Sequence, residues 1–312
     1  MKRNVVLLTG GLGNQLFQIN AALSMYNLSE LEADSTLGRP RSAKNGLPDA
    51  AAFSYPDNLI FKKTYDTDWL SRKATGFCLR MSAVPRKFEK FRFVQFIPRI
   101  IASLIISLKW KRLIIMRLGQ GIGYSKLVPG RFSHLIVGYF QSYEYFSQSP
   151  DSYRKMKKIH ISHPGKDLNL LKEIARVENP AIVHIRMGDY RNEPQIGMLE
   201  RDYYIRGIRT IKEANPNVNI WFFSDEIYEA QKYLGISPTE GRWISEVDFS
   251  PASTLEAMRL GTAYLISNST FSWWGATLSY SENPLVIAPN PWFINLLEPK
   301  ALIPEHWVRI PR

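Results

Sequence analysis

The sequence of 312 residues predicts an α/β fold made of two Rossmann-like domains. The chain opens with a short apolar run, a glycine-rich turn and an amphipathic pattern, which indicate a strand, a turn and a helix. From about residue 159 onward, short apolar runs alternate with helical patterns, as in a parallel sheet covered by helices. The length suits two ordinary domains. We place them at residues 1–158 and 159–292, with residues 293–312 as a segment that can pack back on the first.

The first domain begins with a predicted strand over residues 5–9 and a predicted helix over residues 14–27. Residues 29–56 are polar and lack a period, so a long loop is expected there. The most apolar run covers residues 97–115, and charges interrupt it before it reaches the ~20 apolar residues of a membrane-spanning helix. Two interpretations of this run stay open: a core helix with a basic end, or a helix lying on an anionic membrane.

The second domain shows strand and helix patterns in alternation. The predicted strands cover residues 181–186, 219–224, 263–267 and 285–288, and the predicted helices cover residues 201–214, 227–234, 253–260 and 271–280. Ser253 and Glu256 have the spacing of a capping box. Ligands of such sheets bind beyond the carboxyl ends of the strands, so the residues that follow each strand are the candidates for a binding site.

The net charge of +12 indicates an anionic partner. Between Arg80 and Arg131, twelve basic residues accompany one acid, Glu89. Nucleic acid, a phospholipid surface and a phosphorylated substrate all fit this charge. Cys78 is the only cysteine, which excludes an intrachain disulfide and a cysteine-based zinc site. Because the first residues are too short for a signal-peptide core, we expect a cytoplasmic protein.

Arg186 stands at the carboxyl end of the strand predicted over residues 181–186. Its planar guanidinium can bind two phosphate oxygens at once, and a fixed positive charge there would stabilise a departing nucleotide diphosphate. An ion pair with Asp189 is the alternative. His184 lies two residues earlier on the same strand face, where a buried histidine is usually a core residue with satisfied hydrogen bonds.

Two further strand ends carry polar residues. Asp225 and Glu226 follow one strand, where a carboxylate can accept from a ribose hydroxyl or a guanine edge, or can begin the next helix. The strand over residues 263–267 leads into small polar side chains and a new helix, whose first N–H groups can hold an anion; simple helix capping is the alternative. The residues of this segment are Ser267, Asn268, Ser269, Thr270 and Phe271.

The glycine-rich turn contains Gly10, Gly11 and Gly13, followed by Asn14 and Gln15. It lacks the lysine of a phosphate loop, and position 16 is leucine where the dinucleotide fingerprint requires a third glycine. Both of those interpretations are therefore rejected. The glycines still allow the backbone to approach a ligand closely.

Four segments taken together resemble the bacterial α-1,2-fucosyltransferases and, more loosely, the α-1,2/α-1,6/protein-O-fucosyltransferase superfamily. They are GGLGNQLFQ at 10–18, HIRMGDY at 184–190, FSDE at 223–226 and SNSTFSWWGA at 267–276. The first and last are the specific ones, and residues 29–180 carry no motif of this family. The resemblance implies a GT-B-like fold of two Rossmann-like domains facing a central cleft. It also implies GDP-L-fucose as donor, inversion at the anomeric carbon, and no metal or other cofactor.

The resemblance also implies roles for individual residues. Arg186 binds the diphosphate and is a catalytic candidate together with Asp189, while His184 and Asp225 lie at the nucleotide. The phosphate site is lined by Ser267, Asn268, Ser269, Thr270 and Phe271, and the acceptor side of the cleft by Gly11, Gly13, Asn14 and Gln15. The family has two adjacent arginines after the histidine, whereas the second position here is Met187. If Arg186 holds the diphosphate without a second arginine, Met187 should pack against apolar neighbours on the opposite strand face.

The expected activity is the transfer of L-fucose from GDP-L-fucose to a glycan hydroxyl, galactose O2, in surface polysaccharide or O-antigen synthesis. A carboxylate such as Asp189 can serve as base, although members of the superfamily differ on whether a base is used. A lipid-linked acceptor would bring residues 97–118 to the inner face of the plasma membrane. One alternative is a basic protein that binds nucleic acid or an anionic membrane, although for the transferase we expect no nucleic-acid partner. The other is a transferase of different donor specificity.

Overall fold

A computed structural model describes residues 4–26, 31–37, 47–56, 59–62, 69–82, 92–128 and 130–312. The chain forms two compact units: unit 1 consists of Met1–His160 and Pro299–Leu302, and unit 2 of Ile161–Glu298 and Ile303–Arg312. The chain thus passes between units after residue 160, where the sequence places the boundary after residue 158. Of residues 293–312, only Pro299–Leu302 group with unit 1, because the last strand, Val308–Pro311, joins the sheet of unit 2.

Unit 1 is built on a five-stranded sheet in which all neighbouring strands pair in parallel. Its strands are β1 (Asn4–Leu7), β2 (Leu31–Asp34), β4 (Ile60–Lys62), β5 (Ile114–Leu118) and β6 (Ser133–Val137), in the order β4-β2-β1-β6-β5. The short strands β3 (Phe53–Ser54) and β7 (His160–Ile161) are not part of it. The central strand β1 is buried along its whole length, as its apolar sequence predicts.

The helices described in unit 1 are α1 (Leu12–Leu23), α2 (Trp69–Ser82), α3 (Arg92–Lys109), α4 (Glu144–Gln148) and α5 (Pro150–Lys157). Gly10 makes the turn from β1 into α1 with φ of 73°, a conformation that favours glycine. Helices α2 and α3 pack against each other, and α3 packs against β5. None of the helices in the described ranges has the length and apolar content needed to cross a membrane.

Unit 2 is built on a six-stranded parallel sheet. Its strands are β8 (Ala181–Ile185), β9 (Ile220–Ser224), β10 (Arg242–Ser245), β11 (Ala263–Leu265), β12 (Leu285–Asn290) and β13 (Val308–Pro311). The spatial order is β10-β9-β8-β11-β12-β13, so the chain winds outward from β8 first in one direction and then in the other. This is the doubly wound order of the Rossmann fold, and its direction reverses between β8 and β11.

The helices of unit 2 are α6 (Lys166–Glu178), α7 (Arg201–Ala214), α8 (Ile227–Leu234), α9 (Pro251–Met258) and α10 (Thr270–Thr277). All four predicted strands and all four predicted helices of this domain are present within three residues of their predicted bounds. The prediction did not include β10, β13 or α6. Two parallel sheets with packed helices confirm the α/β class and the two Rossmann-like domains.

The predicted capping box at Ser253 and Glu256 is wrong. Ser250 caps α9: its Oγ accepts from the Ser253 backbone N–H at 3.1 Å, and Pro251 occupies the first turn. Glu256 is instead fully buried and forms an ion pair with Arg259 at 2.8 Å. The proline at the first helical position is the stronger signal of the helix start, because its φ is already helical and it has no N–H to satisfy.

Met187 lies in the apolar core of unit 2 and is 4% exposed. It belongs to a buried cluster that also contains Ile185, Leu199 and Tyr204. The prediction that Met187 packs against apolar neighbours is therefore confirmed. Its neighbour Arg186 has a 17% exposed side chain that contacts carboxylates.

Candidate functional site

Four neighbouring strands of unit 2 lead into polar residues at one edge of the sheet. Strands β8, β9, β10 and β11 run in parallel, so their carboxyl ends lie at the same edge. The residues just beyond these ends include Arg186, Asp225, Glu246 and Ser267. They lie on both sides of the point between β8 and β11 where the strand order reverses, which is where such sheets bind ligands.

Arg186 is the positive centre of this cluster and contacts three carboxylates. Its Nε and Nη2 atoms lie 3.0 and 2.9 Å from Asp189 Oδ1. Its Nη1 atom lies 3.3 Å from Asp225 Oδ2 and 3.3 Å from Glu246 Oε2. The Asp189 side chain is 45% exposed, whereas those of Asp225 and Glu246 are 15% and 12% exposed. The contact with Asp189 is therefore the one that a ligand can replace at the lowest cost in buried, unpaired charge.

The charges of the cluster stabilise one another. Burial by itself lowers the pKa of Arg186, but the three surrounding carboxylates outweigh burial and raise that pKa above its ordinary value. Burial by itself raises the pKa of Glu246, but His184 and Arg186 outweigh burial and hold that pKa below its ordinary value. Both side chains are therefore charged at neutral pH. An incoming anion therefore competes with these carboxylates for the guanidinium.

His184 connects the ends of two strands that are not neighbours. Its Nδ1 atom lies 2.7 Å from Ser267 Oγ, and its Nε2 atom lies 2.6 Å from Glu246 Oε1. His184 and Ser267 are fully buried. Both ring nitrogens thus have partners, as expected for a core histidine, and the ring also fixes the carboxylate whose other oxygen contacts Arg186.

The segment before α10 combines helix capping with a fixed backbone. Ser269 is the N-cap, and its Oγ accepts from the Phe271 N–H at 3.3 Å. Asn268 donates through Nδ2 to the carbonyls of Ile196 and Gly197 at 3.1 and 2.9 Å. Ser269 therefore caps α10, as the capping alternative predicts. This cap satisfies one of the four N–H groups that a helix start leaves without a helical partner. Capping by Ser269 is therefore compatible with anion binding at the same helix start.

Tyr190 contacts both Arg186 and this segment. The guanidinium lies over the tyrosine ring at 5.7 Å, and the hydroxyl donates to the Asn268 carbonyl at 3.4 Å. Burial raises the pKa of Tyr190 to about 12, although the charge of Arg186 acts in the opposite direction. Tyr190 therefore stays protonated at neutral pH and supports the position of Arg186 from one side.

Glycine at position 188 lets the loop after Arg186 pass close to Asp225. A Cβ atom there would lie 2.7 Å from Asp225 Oδ2, too close for any other residue without a shift. The adjacent Met187 N–H donates to Asp225 Oδ1 at 3.0 Å. Asp225 thus ties this loop to the end of β9, whereas Glu226 precedes α8 directly and pairs with Arg191 at 2.5 Å.

The predicted acceptor-side residues lie at the start of α1 in unit 1. Gly11 is the N-cap of α1, and Gly13 is buried in its first turn. Asn14 Oδ1 accepts from Gln141 Nε2 at 3.0 Å. Gln15 is fully buried; its Nε2 donates to the Gly10 carbonyl at 3.0 Å, and its Oε1 accepts from the Ala50 N–H at 2.9 Å. Gln15 therefore holds the glycine turn, and the role of all four residues toward an acceptor stays a prediction.

Glu246 is not among the residues predicted from the sequence, because β10 is not predicted. The strand has four residues, RWIS, which begin with a charge and contain no apolar run. Gly241 before it and the apolar pair Trp243 and Ile244 are the weak signal that could have indicated it. As for metal ligands, the described part of the chain contains no group of three His, Cys, Asp or Glu residues that could hold an ion.

A doubly wound sheet with an arginine and a helix start at its reversal point is the arrangement of a nucleotide-binding protein. The family model of glycosyl transferase family 11 matches residues 124–310, and the chain belongs to this family. It is therefore a glycosyltransferase, as predicted, and the resemblance to the fucosyltransferases is confirmed. This assignment does not support the alternative of a protein that only binds nucleic acid or membranes.

Similar proteins of known activity cover most of the chain. An α-1,2-colitosyltransferase of Escherichia coli is 29% identical over 98% of both chains. The O-antigen biosynthesis glycosyltransferase WbnK of Escherichia coli is 26% identical over 97% of this chain and 99% of its own. A galactoside 2-α-L-fucosyltransferase of Caenorhabditis elegans is 23% identical over 89% of this chain and 69% of its own.

Proposed function

We propose that this chain transfers L-fucose from GDP-L-fucose, with inversion, to O2 of a galactose residue in a glycan acceptor. The observation that carries the proposal is the convergence of Arg186 and the start of α10 at the reversal point of the unit 2 sheet. The names of two relatives contain a 1,2 linkage or a galactoside 2 position, which supports the acceptor hydroxyl. The relative named for O-antigen biosynthesis supports a surface glycan, carried on a lipid, as the acceptor.

The diphosphate would enter the cluster by replacing Asp189 on Arg186. The Nε and Nη2 atoms that now contact Asp189 form one edge of the guanidinium, and such an edge suits two phosphate oxygens. Asp225 and Glu246 would stay on Nη1 and keep the guanidinium in place. The same charge then stabilises the nucleotide diphosphate as it leaves the sugar.

Release of Asp189 would give the site a carboxylate that no longer pairs with Arg186. Inversion requires the acceptor hydroxyl to attack in line with the departing diphosphate, and a carboxylate can take up its proton. Asp189 is the exposed carboxylate of the cluster, so it is the candidate for this base. Transfer without a base is the alternative, and the Asp189→Asn variant distinguishes the two through the pH dependence of kcat.

We also propose that transfer requires no metal ion. Arg186 and the N–H groups at the start of α10 would donate to the diphosphate at the place where a metal ion would otherwise bind it. The three carboxylates near this place contact the guanidinium of Arg186.

A different sugar on the same nucleotide is the second candidate. The relative with 29% identity over nearly the whole chain is named a colitosyltransferase, and colitose is a deoxy relative of L-fucose. The contacts around Arg186 concern the diphosphate and leave the choice between the two sugars open.

A donor comparison tests the proposal. Purified full-length protein is given GDP-L-fucose or GDP-colitose with a galactose-terminated acceptor, in the presence of EDTA, and the product linkage is determined by NMR. We expect fucose transfer to O2 with the β-linked donor converted to an α-linked product. Preferential use of GDP-colitose would contradict L-fucose as the transferred sugar. Activity that is lost in EDTA and restored by manganese would contradict the metal-free reaction.

A further inference from the structure

Helix α3 carries apolar side chains on two opposite faces. On one face, Ala102 and Ile106 are fully buried in the core of unit 1 together with Cys78 and Ile114. On the other face lie six apolar residues that are exposed by between 41% and 79%: Phe96, Ile97, Ile100, Ile101, Leu104 and Leu108. We call these six residues the α3 apolar stripe. The core interpretation of the sequence therefore explains only one face of the helix.

The stripe lies opposite the core. Ile106 is two residues away from both Leu104 and Leu108, which corresponds to roughly 200° around the helix axis. Stripe residues recur every three or four positions, so they form a continuous surface. A helix on the surface of a globular protein normally presents charged and polar side chains there. A contiguous exposed apolar surface of this kind marks an interaction site.

The charged residues of α3 and of the segment that follows it have one sign. Residues 92–118 contain six Lys and Arg residues and no Asp or Glu. Lys109, Lys111 and Arg112 are exposed at the carboxyl end of α3, which we call the basic end. Helix α2, which packs against α3, adds the exposed Trp69 with the Lys73 ammonium over its ring at 5.6 Å. Apolar, aromatic and basic side chains in this combination are typical of helices that lie in the interface of an anionic membrane.

The charge distribution of the whole chain agrees with this. Residues 1–160 contain 25 Lys and Arg against 10 Asp and Glu, whereas residues 161–312 contain 15 against 18. The nucleotide-binding sheet lies in the second range, so the positive excess is not explained by the donor. It indicates another anionic partner, bound by the unit that contains α3.

Lys111 occupies a position that costs stability. Its φ is 47°, in the left-handed region that glycine adopts without strain at the end of a helix. The Arg112 N–H donates to the Ser107 carbonyl at 3.1 Å, which closes the end of α3 around it. A lysine at this place gains nothing for the local backbone, so we infer that its charge has a role.

We propose that unit 1 docks on an anionic lipid bilayer through α3, with the stripe inserted among the acyl chains and the basic end at the phosphate groups. Nucleic acid would match the charge but not the apolar stripe. A second copy of α3 would match the stripe but would offer no acidic residue to the basic end, since residues 92–118 contain no Asp or Glu. A membrane surface matches both features, and this docking does not depend on the proposed sugar transfer.

Flotation of the full-length protein with vesicles, with no GDP added, tests the docking. The vesicles contain either phosphatidylcholine alone or phosphatidylcholine with phosphatidylglycerol. We expect binding to the anionic vesicles, and a loss of about 100-fold on replacing Lys109, Lys111 and Arg112 by Gln, since each basic residue contributes about fivefold. Replacing Ile101, Leu104 and Leu108 by Ser should lower binding by about tenfold or more. The matched control replaces Val177, Tyr228 and Val247, exposed apolar residues of unit 2, by Ser and should bind like the wild type.

Lys111→Gly separates a membrane role from a structural one. Glycine adopts the left-handed conformation without strain, so this variant should unfold at a higher temperature than the wild type. Because it lacks one positive charge, it should bind anionic vesicles about fivefold more weakly. Each variant is checked for folding by its melting temperature and by GDP binding in solution, which reports on unit 2 separately. Wild-type protein that does not float with anionic vesicles would overturn the proposal. A stripe variant that floats like the wild type would also overturn it. The same holds for a stripe variant whose only defect is loss of self-association.

Discussion

At the scale of single residues, one arginine and its three carboxylates define the proposed donor site. Arg186 contacts two nearly buried acids through Nη1 and the exposed Asp189 through its other edge. The position of Arg186 at a strand end could be predicted from the sequence, as could its pairing with Asp189. Glu246 could not, because a four-residue strand with little apolar character precedes it.

Met187 tests whether the second arginine of the family has a place in this fold. Met187→Arg puts a charge into a core position that is 4% exposed, so we expect the free energy of unfolding to fall by about 3 kcal/mol or more. The volume-conserving Met187→Leu should cost less than about 1.5 kcal/mol. Denaturant unfolding measures both, and kcat/KM of the folded fraction should not rise. A gain in kcat/KM with unchanged stability would show that position 187 reaches the donor.

At the scale of elements, the strands and helices with strong local signals could be predicted from the sequence. Strands such as β9, IWFFS, are continuous apolar runs, and the helices of unit 2 have regular apolar spacing. Strands β10 and β13 lie at the two edges of the sheet, where β10 has one buried residue and β13 has none, so their apolar signal is weak. The start of α9 was misassigned because Ser250 and Ser253 offer competing caps three residues apart. These two edge strands are defined by their pairing with neighbouring strands, which a local sequence pattern does not reveal.

The cap of α10 gives a prediction at this scale. Ser269→Ala removes the acceptor for the Phe271 N–H and should lower stability by about 1 kcal/mol. It should also weaken GDP binding severalfold, because the helix start that would face the phosphates becomes less ordered. Ser237→Ala is the matched control: Ser237 also caps a helical turn of unit 2, but it precedes β10 and so lies toward the opposite edge of the sheet. Calorimetric titration with GDP should show a change for Ser269→Ala only. Equal effects of both variants on GDP affinity would assign Ser269 a purely structural role.

At the scale of the whole molecule, the two units differ in charge as they differ in proposed partner. The positive excess lies in residues 1–160, with α3 and its exposed stripe, whereas the carboxylate-rich site around Arg186 lies in unit 2. The basic stretch of the sequence extends over residues 83–91, which lie outside the described residues. Composition could predict an anionic partner but not which one. The exposure of one face of α3 favours a membrane, and this could not be read from a pattern that fits a core helix equally well.

The central claim is that Arg186 binds the diphosphate of a GDP-sugar donor. Titration of GDP and of GMP into the wild type and into Arg186→Lys tests it most directly, because the two nucleotides differ only in the second phosphate of that diphosphate. We expect the wild type to prefer GDP, and the lysine variant to lose most of this preference, since a point charge cannot replace a two-pronged contact. The corresponding loss in kcat/KM should be about 30- to 1,000-fold. A lysine variant that keeps the full preference for GDP would contradict the claim.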